Sequence, residues 1–162
     1  MSRQGARPLG PLEKAWRVNG TPNLALHLAI LGRLVDRCMV RHLAAFGLNI
    51  AQWRAMALLS LQKSSTFGDL AEYAWLDRGD LSRALRKLEA AGFVQRTPHP
   101  DDRHRSFLAL TPKGRQCCSG FRAEWRKFER ELDTLLSAKE LRSLNTRLER
   151  LAGQCLHYMA ES

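Results

Sequence analysis

The stretch from Asp77 to Leu110, DRGDLSRALRKLEAAGFVQRTPHPDDRHRSFLAL, decides the fold because its hydrophobic period changes halfway along. In the first half, apolar residues recur at the spacing i, i+3, i+4 and i+7, which places them on one face of a helix. These residues are Leu81, Ala84, Leu85 and Leu88. We therefore predict a helix over residues 77–91 that packs this face on a core and ends at Gly92.

The second half of this stretch alternates apolar and polar side chains, as half-buried strands do. The alternating runs are residues 93–97 and 105–110, and the segment PHPDD (98–102) between them is rich in turn-forming residues. We therefore predict two strands that form a β-hairpin with a charged tip.

The outward face of the predicted helix carries arginines, a lysine and a serine. In the major groove, Arg bonds guanine O6 and N7 bidentately, and Ser bonds bases or phosphate. A short helix over 67–74, a turn and this helix make a helix-turn-helix, and the hairpin behind it is a wing whose arginines reach an adjacent minor groove. The predicted DNA-binding residues are Arg78, Asp80, Ser82, Arg83, Arg86, Lys87, Arg103, His104 and Arg105. The alternatives are a solvated helix face and an ordinary polar hairpin tip.

Long amphipathic helices flank this unit. Apolar spacing and helix-start residues predict helices from a Thr21-Pro22 cap to about residue 46, from Asn49 to 62, from Thr111 to about 136, and from a Ser137 capping box to about 159. The sequence thus predicts a mainly α fold with a small β-hairpin wing.

The terminal helices carry more apolar surface than one small winged domain covers. Their leucines are Leu132, Leu135, Leu136, Leu141, Leu144, Leu148, Leu151 and Leu156. A closed two-fold homodimer would bury them, and an intramolecular helical core is the alternative. We expect a flexible arm over 1–20 and one domain over 21–160, in which 21–47 and 111–160 are dimerisation helices and 48–110 is the winged helix-turn-helix.

Composition bounds the function class. The chain has 162 residues and a formal net charge of +10 at pH 7, which favours nucleic acid as a partner. It contains neither a membrane-length apolar run nor a secretory signal, so we expect a cytoplasmic protein with no membrane partner. Catalytic and nucleotide-binding motifs are absent, and the cysteines lack metal-ligand spacing, so we expect no enzyme, metal or cofactor.

Six short segments occur in an order and spacing that match a known family. They are GLNIAQW (47–53), LAE (70–72), LDRGDLSR (76–83), LEAAGFV (88–94), DDR (101–103) and LTPKG (110–114). From about residue 24 to 116, and more loosely through the last helix, the chain resembles the MarR family of bacterial winged-helix regulators.

This resemblance implies a homodimer with intertwined terminal helices that binds double-stranded DNA at a palindromic operator, most commonly as a repressor. The recognition helix carries over to residues 77–91, the wing to 97–105, and the family's wing-tip pair to Asp102 and Arg103. One residue departs from the family pattern, because Asp80 stands where many relatives have a small hydroxyl residue. An acid there either accepts from cytosine N4 or caps the helix N-terminus.

Members of the family often bind small phenolic or aromatic acids in a cleft between the dimerisation helices and the winged domain, which releases them from DNA. An aromatic acid requires aromatic and cationic contacts. The effector candidates on that basis are His27, Arg33, Trp53, Arg54, Met56 and Trp75. Core packing is the alternative for Trp53, and an ordinary satisfied or exposed histidine is the alternative for His27.

Two other functions stay open at this point. One is a thiol-based oxidant sensor of the same fold that uses Cys38, since Arg37 and Arg41 would favour a thiolate there. A buried structural cysteine is the alternative for Cys38. The other function is a winged helix that docks a protein instead of DNA.

Overall fold

A computed structural model describes residues 13, 23–73, 76–98 and 105–161. The helices within these ranges are α1 (Leu24–Ala44), α2 (Ile50–Gln62), α3 (Phe67–Tyr73), α4 (Arg78–Ala90), α5 (Pro112–Asp133) and α6 (Ala138–Ala160). The strands are β1 (Ser64–Thr66), β2 (Val94–Pro98) and β3 (Ser106–Leu110). The predicted mainly α fold with a β-hairpin is confirmed, and the predicted arm lies outside the described residues, Glu13 apart.

Side-chain caps define where the helices begin. Asn49 and Gln52 form a reciprocal capping box at the start of α2, with both hydrogen bonds at 2.9 Å. Ser137 and Glu140 do the same for α6, as predicted. The predicted cap of the first long helix was wrong, because Asn23 accepts from the Leu26 N–H at 3.0 Å. Thr21 and Pro22 lie outside the described residues.

A third strand completes the hairpin into a sheet of order β1-β3-β2, antiparallel throughout. Ser65 of β1 pairs with Leu108 from one side, while Arg96 of β2 pairs with it from the other. Strand β1 was not predicted, and it has only three residues, Ser-Ser-Thr. Such a strand has no readable alternation, and its pairing with β3 holds it in place.

Helix α2 lies at the centre of the core and packs against α1, α3, α4, α5, β1 and β3. The largest fully buried side chains gather around it: Leu43, Met56, Leu59, Leu70, Leu81, Leu85, Leu88, Leu108 and Phe121. The winged unit and the start of α5 therefore share one hydrophobic core.

The start of α5 is fixed to the end of α4. Thr111 Oγ1 donates to the Gly92 carbonyl at 2.7 Å, and Lys113 Nζ donates to the Ala91 carbonyl at 2.8 Å. A Cβ on Gly114 would lie only 2.1 Å from the Phe93 carbonyl oxygen, so this close approach requires glycine. The start of α5 is therefore bonded to the segment that joins α4 to β2.

Helix α6 is the exception to this packing, since none of its residues, all of them described, is buried. Its apolar side chains are open to solvent in the single chain, including Leu144 (41%), Leu148 (38%) and Leu156 (51%). No helix within the described ranges is long and apolar enough to span a membrane.

Candidate nucleic-acid interface

Helix α4 presents one face to the core and the other to solvent. Leu81 and Leu88 are fully buried, and Ala84 and Leu85 are nearly so. Asp77 begins the helix by accepting from the Gly79 N–H at 2.8 Å and the Asp80 N–H at 3.1 Å. The hypothesis that Asp80 caps this helix is therefore wrong, because Asp77 already occupies that role.

The outward face holds the predicted base-reading residues. Arg78, Asp80, Arg83, Arg86 and Lys87 are exposed, whereas Ser82 is half-buried. Arg83 Nη2 donates to Asp80 Oδ1 at 2.5 Å, and the two side chains are 63% and 55% exposed. Within the described part of the chain, Arg86 and Lys87 form no ion pair. Their charges are thus available to an anionic partner.

Arg78 differs from the other cations of this face. Its guanidinium carbon lies 5.4 Å from the centroid of the Phe67 ring, a cation–π distance that holds Arg78 against α3. This contact links the two helices of the helix-turn-helix on the side that faces solvent.

Arg96 on β2 connects the wing to α4, and this role was not predicted from the sequence. Its Nε and Nη2 donate to Glu89 Oε1 at 3.1 and 2.9 Å, and its Nη1 donates to Ser106 Oγ at 2.8 Å. We call these three residues the wing clamp. Glu89 and Arg96 are seven positions apart across a turn, so no helical or strand spacing relates them. The clamp sets the angle between the hairpin and α4.

Asp69 on α3 interacts with residues at the base of the wing. Thr66 Oγ1 and the Thr66 N–H donate to Asp69 Oδ2 at 2.7 and 3.1 Å. These hydrogen bonds hold the pKa of Asp69 below its ordinary value, and Arg105 contributes to the same direction as a smaller cause. Arg105 is exposed just before β3, whereas Asp102, Arg103 and His104 lie outside the described residues. The Asp102–Arg103 pair stays a prediction.

The five effector candidates within the described residues lie in different surroundings. Met56 is fully buried and Trp53 is 9% exposed, with the Trp53 and Phe121 ring centroids 4.2 Å apart. The effector role of Met56 is corrected to core packing, because its side chain has no open surface. Arg54 pairs with Asp36 at 3.6 Å, Arg33 is exposed on α1, and His27 is half-buried there. Trp75 lies outside the described residues.

A cavity of about 550 Å³ opens between α2, β3 and α5. We call it the basic cavity, since its lining includes Lys63, Arg115, Arg122 and Arg126. None of these four cations forms an ion pair within the described ranges, although Arg122 donates to Ser60 Oγ, Arg115 donates to the Leu110 carbonyl at 2.6 Å and Arg126 donates to the Arg122 carbonyl at 3.4 Å. Leu59, Leu110 and Cys118 supply apolar wall. The sequence signal was the stripe 115, 119, 122 and 126 on α5, whose spacing places these residues on one helix face.

The cysteines form no disulfide, and no group of His, Cys, Asp or Glu within the described residues is arranged to hold a metal. Burial raises the pKa of Cys118 to about 11, so its thiol stays protonated at neutral pH. Burial also raises the pKa of the neighbouring Cys117. Cys38 is half-buried on α1.

Comparison with known proteins gives the same family throughout. A model of the MarR family matches residues 48–105. The multiple antibiotic resistance protein MarR of Salmonella typhimurium is 25% identical over 142 residues, which cover 83% of this chain and 99% of that protein. The homoprotocatechuate degradative operon repressor of Escherichia coli is 26% identical over 98 residues, which cover 60% of this chain and 66% of that protein.

The solved structures agree with the architecture described above. A crystal structure of a mutant MarR from E. coli, complexed with operator DNA, superimposes with a TM-score of 0.66 at 26% identity, over 80% of this chain and 98% of that one. The winged helix-turn-helix predicted from the sequence is confirmed by this match. Over its winged helix-turn-helix, residues 48–105, the chain matches the MarR family of DNA-binding transcriptional regulators.

Proposed function

We propose that the protein is a homodimeric repressor that binds a palindromic operator and leaves it when a small aromatic or phenolic acid binds. The observation that carries this proposal is the pairing of a leucine-buried face on α4 with exposed Arg83, Arg86 and Lys87 on its other face. The MarR structure in complex with operator DNA and the relative named as an operon repressor support it.

In this proposal, α4 enters the major groove and the wing contacts the adjacent backbone and minor groove. Arg86 and Lys87 have no acidic partner in the described ranges, so they meet phosphates or base edges without first breaking an ion pair. Arg103, His104 and Arg105 act at the wing. The wing clamp keeps these two contact surfaces at one spacing, which a rigid duplex requires.

The dimer is proposed from an apolar groove between α1 and α6. Leu24 and Leu28 of α1 line it together with Leu144, Leu148 and Leu151 of α6, over about 550 Å³, and Arg147, Arg150 and Gln154 complete its lining. An apolar groove of this kind at the two chain ends fits the same helices of a second copy, because a two-fold axis pairs identical surfaces. Residues 21–47 and 111–160 would then be the dimerisation helices, and 48–110 the DNA-binding unit.

The effector is proposed to bind in the basic cavity. Its unpaired cations suit a carboxylate, while Leu59, Leu110 and Cys118 suit an aromatic ring. The cavity joins α5 to β3, and the start of α5 is bonded to the end of α4. A ligand that moves α5 therefore changes the position of α4 relative to the groove.

Operator affinity is expected to fall steeply with salt, because cations on α4 and the wing displace counterions from phosphates. Arg86→Ala should weaken binding by about 1–3 kcal/mol. Fluorescence anisotropy across salt concentrations measures both effects. Arg130→Ala on α5, far from α4 in the chain and exposed, is the control and should bind normally. A wild-type protein whose affinity for every duplex is insensitive to salt would contradict the proposed function.

Arg96→Ala should lower operator affinity by about tenfold or more, since the freed wing no longer holds its angle to α4. The same change should cost only about 0–1 kcal/mol of folding stability, because exposed ion pairs contribute little. Anisotropy and urea unfolding give the two values. Lys127→Ala removes a comparable exposed ion pair on α5 and serves as control. Equal operator affinity in wild type and Arg96→Ala would show that the wing clamp does not contribute to operator binding.

Sedimentation at micromolar concentration should give about twice the chain mass of 18.4 kDa. Leu148→Arg replaces an apolar side chain of the α1–α6 groove by a cation beside Arg147 and Arg150, and should produce a monomer that no longer binds a two-half-site operator. Thr146→Arg lies on the opposite face of α6 and should remain dimeric. A wild-type monomer, or a dimer undisturbed by Leu148→Arg, would rule out this interface.

Homoprotocatechuate or benzoate is expected to release the protein from its operator, and uncharged benzamide is not. Arg126→Met should blunt the release, because it removes one cation from the basic cavity while leaving the core intact. Arg130→Met, one turn further along α5, should respond like wild type. The measurement is anisotropy of operator binding against ligand concentration. Release that is unchanged in Arg126→Met would place the effector elsewhere.

A further inference from the structure

We propose that Asp80 and Arg83 act as one unit that reads a G·C pair in each half-site of the operator. This inference rests on the proposed function and specifies which bases α4 selects. It concerns the residue of this helix that departs from the family pattern.

The contact between the two side chains is already formed in the free protein. Arg83 Nη2 lies 2.5 Å from Asp80 Oδ1. Asp80 is not engaged in capping, because Asp77 accepts from the Gly79 and Asp80 N–H groups. The Asp80 carboxylate thus binds Arg83, and this contact orients the Arg83 guanidinium before DNA binds.

Gly79 leaves space for both the helix cap and the Arg83 guanidinium. A Cβ at position 79 would lie 2.9 Å from Asp77 Oδ1, 3.3 Å from Arg83 Nη1 and 3.8 Å from Arg83 Cζ, so the guanidinium lies beside the first turn of α4. Arg83 therefore contacts the Asp80 carboxylate and passes close to the backbone at Gly79. Such positioning reduces the number of base steps that one long side chain can reach.

The chemistry of the pair matches a G·C pair best. Guanine shows the acceptors N7 and O6 in the major groove, and its cytosine shows the N4 amino donor. The Arg83 N–H groups that do not bind Asp80 can donate to N7 and O6, and the remaining lone pairs of Asp80 can accept from N4–H. With adenine opposite Arg83, the N6 amino donor faces the guanidinium and thymine O4 faces the carboxylate. With thymine opposite Arg83, O4 and adenine N6–H can still pair, but the guanidinium meets one acceptor and a methyl group where guanine offers two acceptors.

The other cations of α4 lack this selectivity. Arg86 and Lys87 form no ion pair in the described ranges, and Arg78 lies over the Phe67 ring. An acid on this face also repels phosphates, so Asp80 weakens contact with DNA of the wrong sequence. Recognition of both bases of one pair by α4 is consequently assigned to Asp80 and Arg83.

The test is selection from a random duplex library with wild type and Asp80→Asn. Wild type should enrich a G·C pair at one position of each half-site, with a preference of about tenfold or more over A·T in follow-up anisotropy. In Asp80→Asn this preference should shrink to about twofold while affinity for random DNA stays equal or rises, because an acid is lost. Arg83→Lys, which keeps the charge but loses the planar fork, should also lose the preference.

Glu124→Gln is the matched control, because Glu124 and Lys127 form an exposed pair of the same spacing on α5 at 2.7 Å. It should select the wild-type sequence. An unchanged G·C preference in Asp80→Asn, or an equal loss of affinity for all sequences, would refute joint recognition of a G·C pair by Asp80 and Arg83. Neither result would contradict the proposed function. Failure of wild type to enrich any sequence would refute the proposed function itself, and this inference with it.

Discussion

Burial of one face of α4 against α2 is the constraint on which the rest of the structure depends. Leu81, Leu85 and Leu88 lie in the core with at most 1% exposure. Each such leucine contributes about 1.5–3 kcal/mol when removed from water. This contact fixes the rotation of α4 about its own axis, and the rotation decides which side chains face outward. Because the leucine face of α4 is buried, Arg83, Arg86 and Lys87 lie on its exposed face.

The interactions that orient the interface are individually weak compared with this burial. The wing clamp and the Asp80–Arg83 pair are both solvent-exposed, and such pairs contribute about 0–1 kcal/mol to folding. These pairs orient groups of the interface. The Asp80–Arg83 pair orients the Arg83 side chain, and the wing clamp orients the hairpin relative to α4. Stability and specificity therefore come from different residues on the same helix, so variants can separate them.

Much of this arrangement could be predicted from the sequence, because it depends on local patterns. The leucine spacing of α4, the cap at Asn49, the capping box at Ser137, and the alternation of β2 and β3 each lie within a few consecutive residues. The features that were missed depend on distant partners. β1 has no pattern of its own and pairs with β3, while Arg96 meets Glu89 only after the chain has turned.

The errors have the same physical origin. Two acids lie near the start of α4, and sequence alone does not decide whether Asp77 or Asp80 takes the free N–H groups. A methionine is a residue type that often contacts aromatic ligands, but the Met56 side chain on α2 is fully buried in the core. The basic cavity draws on two helices and a strand, so its lining becomes evident only when the fold brings α2 and α5 together.

The central claim is that α4 reads DNA from the major groove with its leucines held inside. Dimethyl sulfate protection tests this most directly, because the reagent methylates guanine N7 in the major groove and adenine N3 in the minor groove. The account predicts protected guanine N7 positions in two clusters about one helical turn apart, and loss of this protection in Arg83→Ala. Protection confined to adenine N3, with guanine N7 fully reactive on the bound duplex, would contradict it.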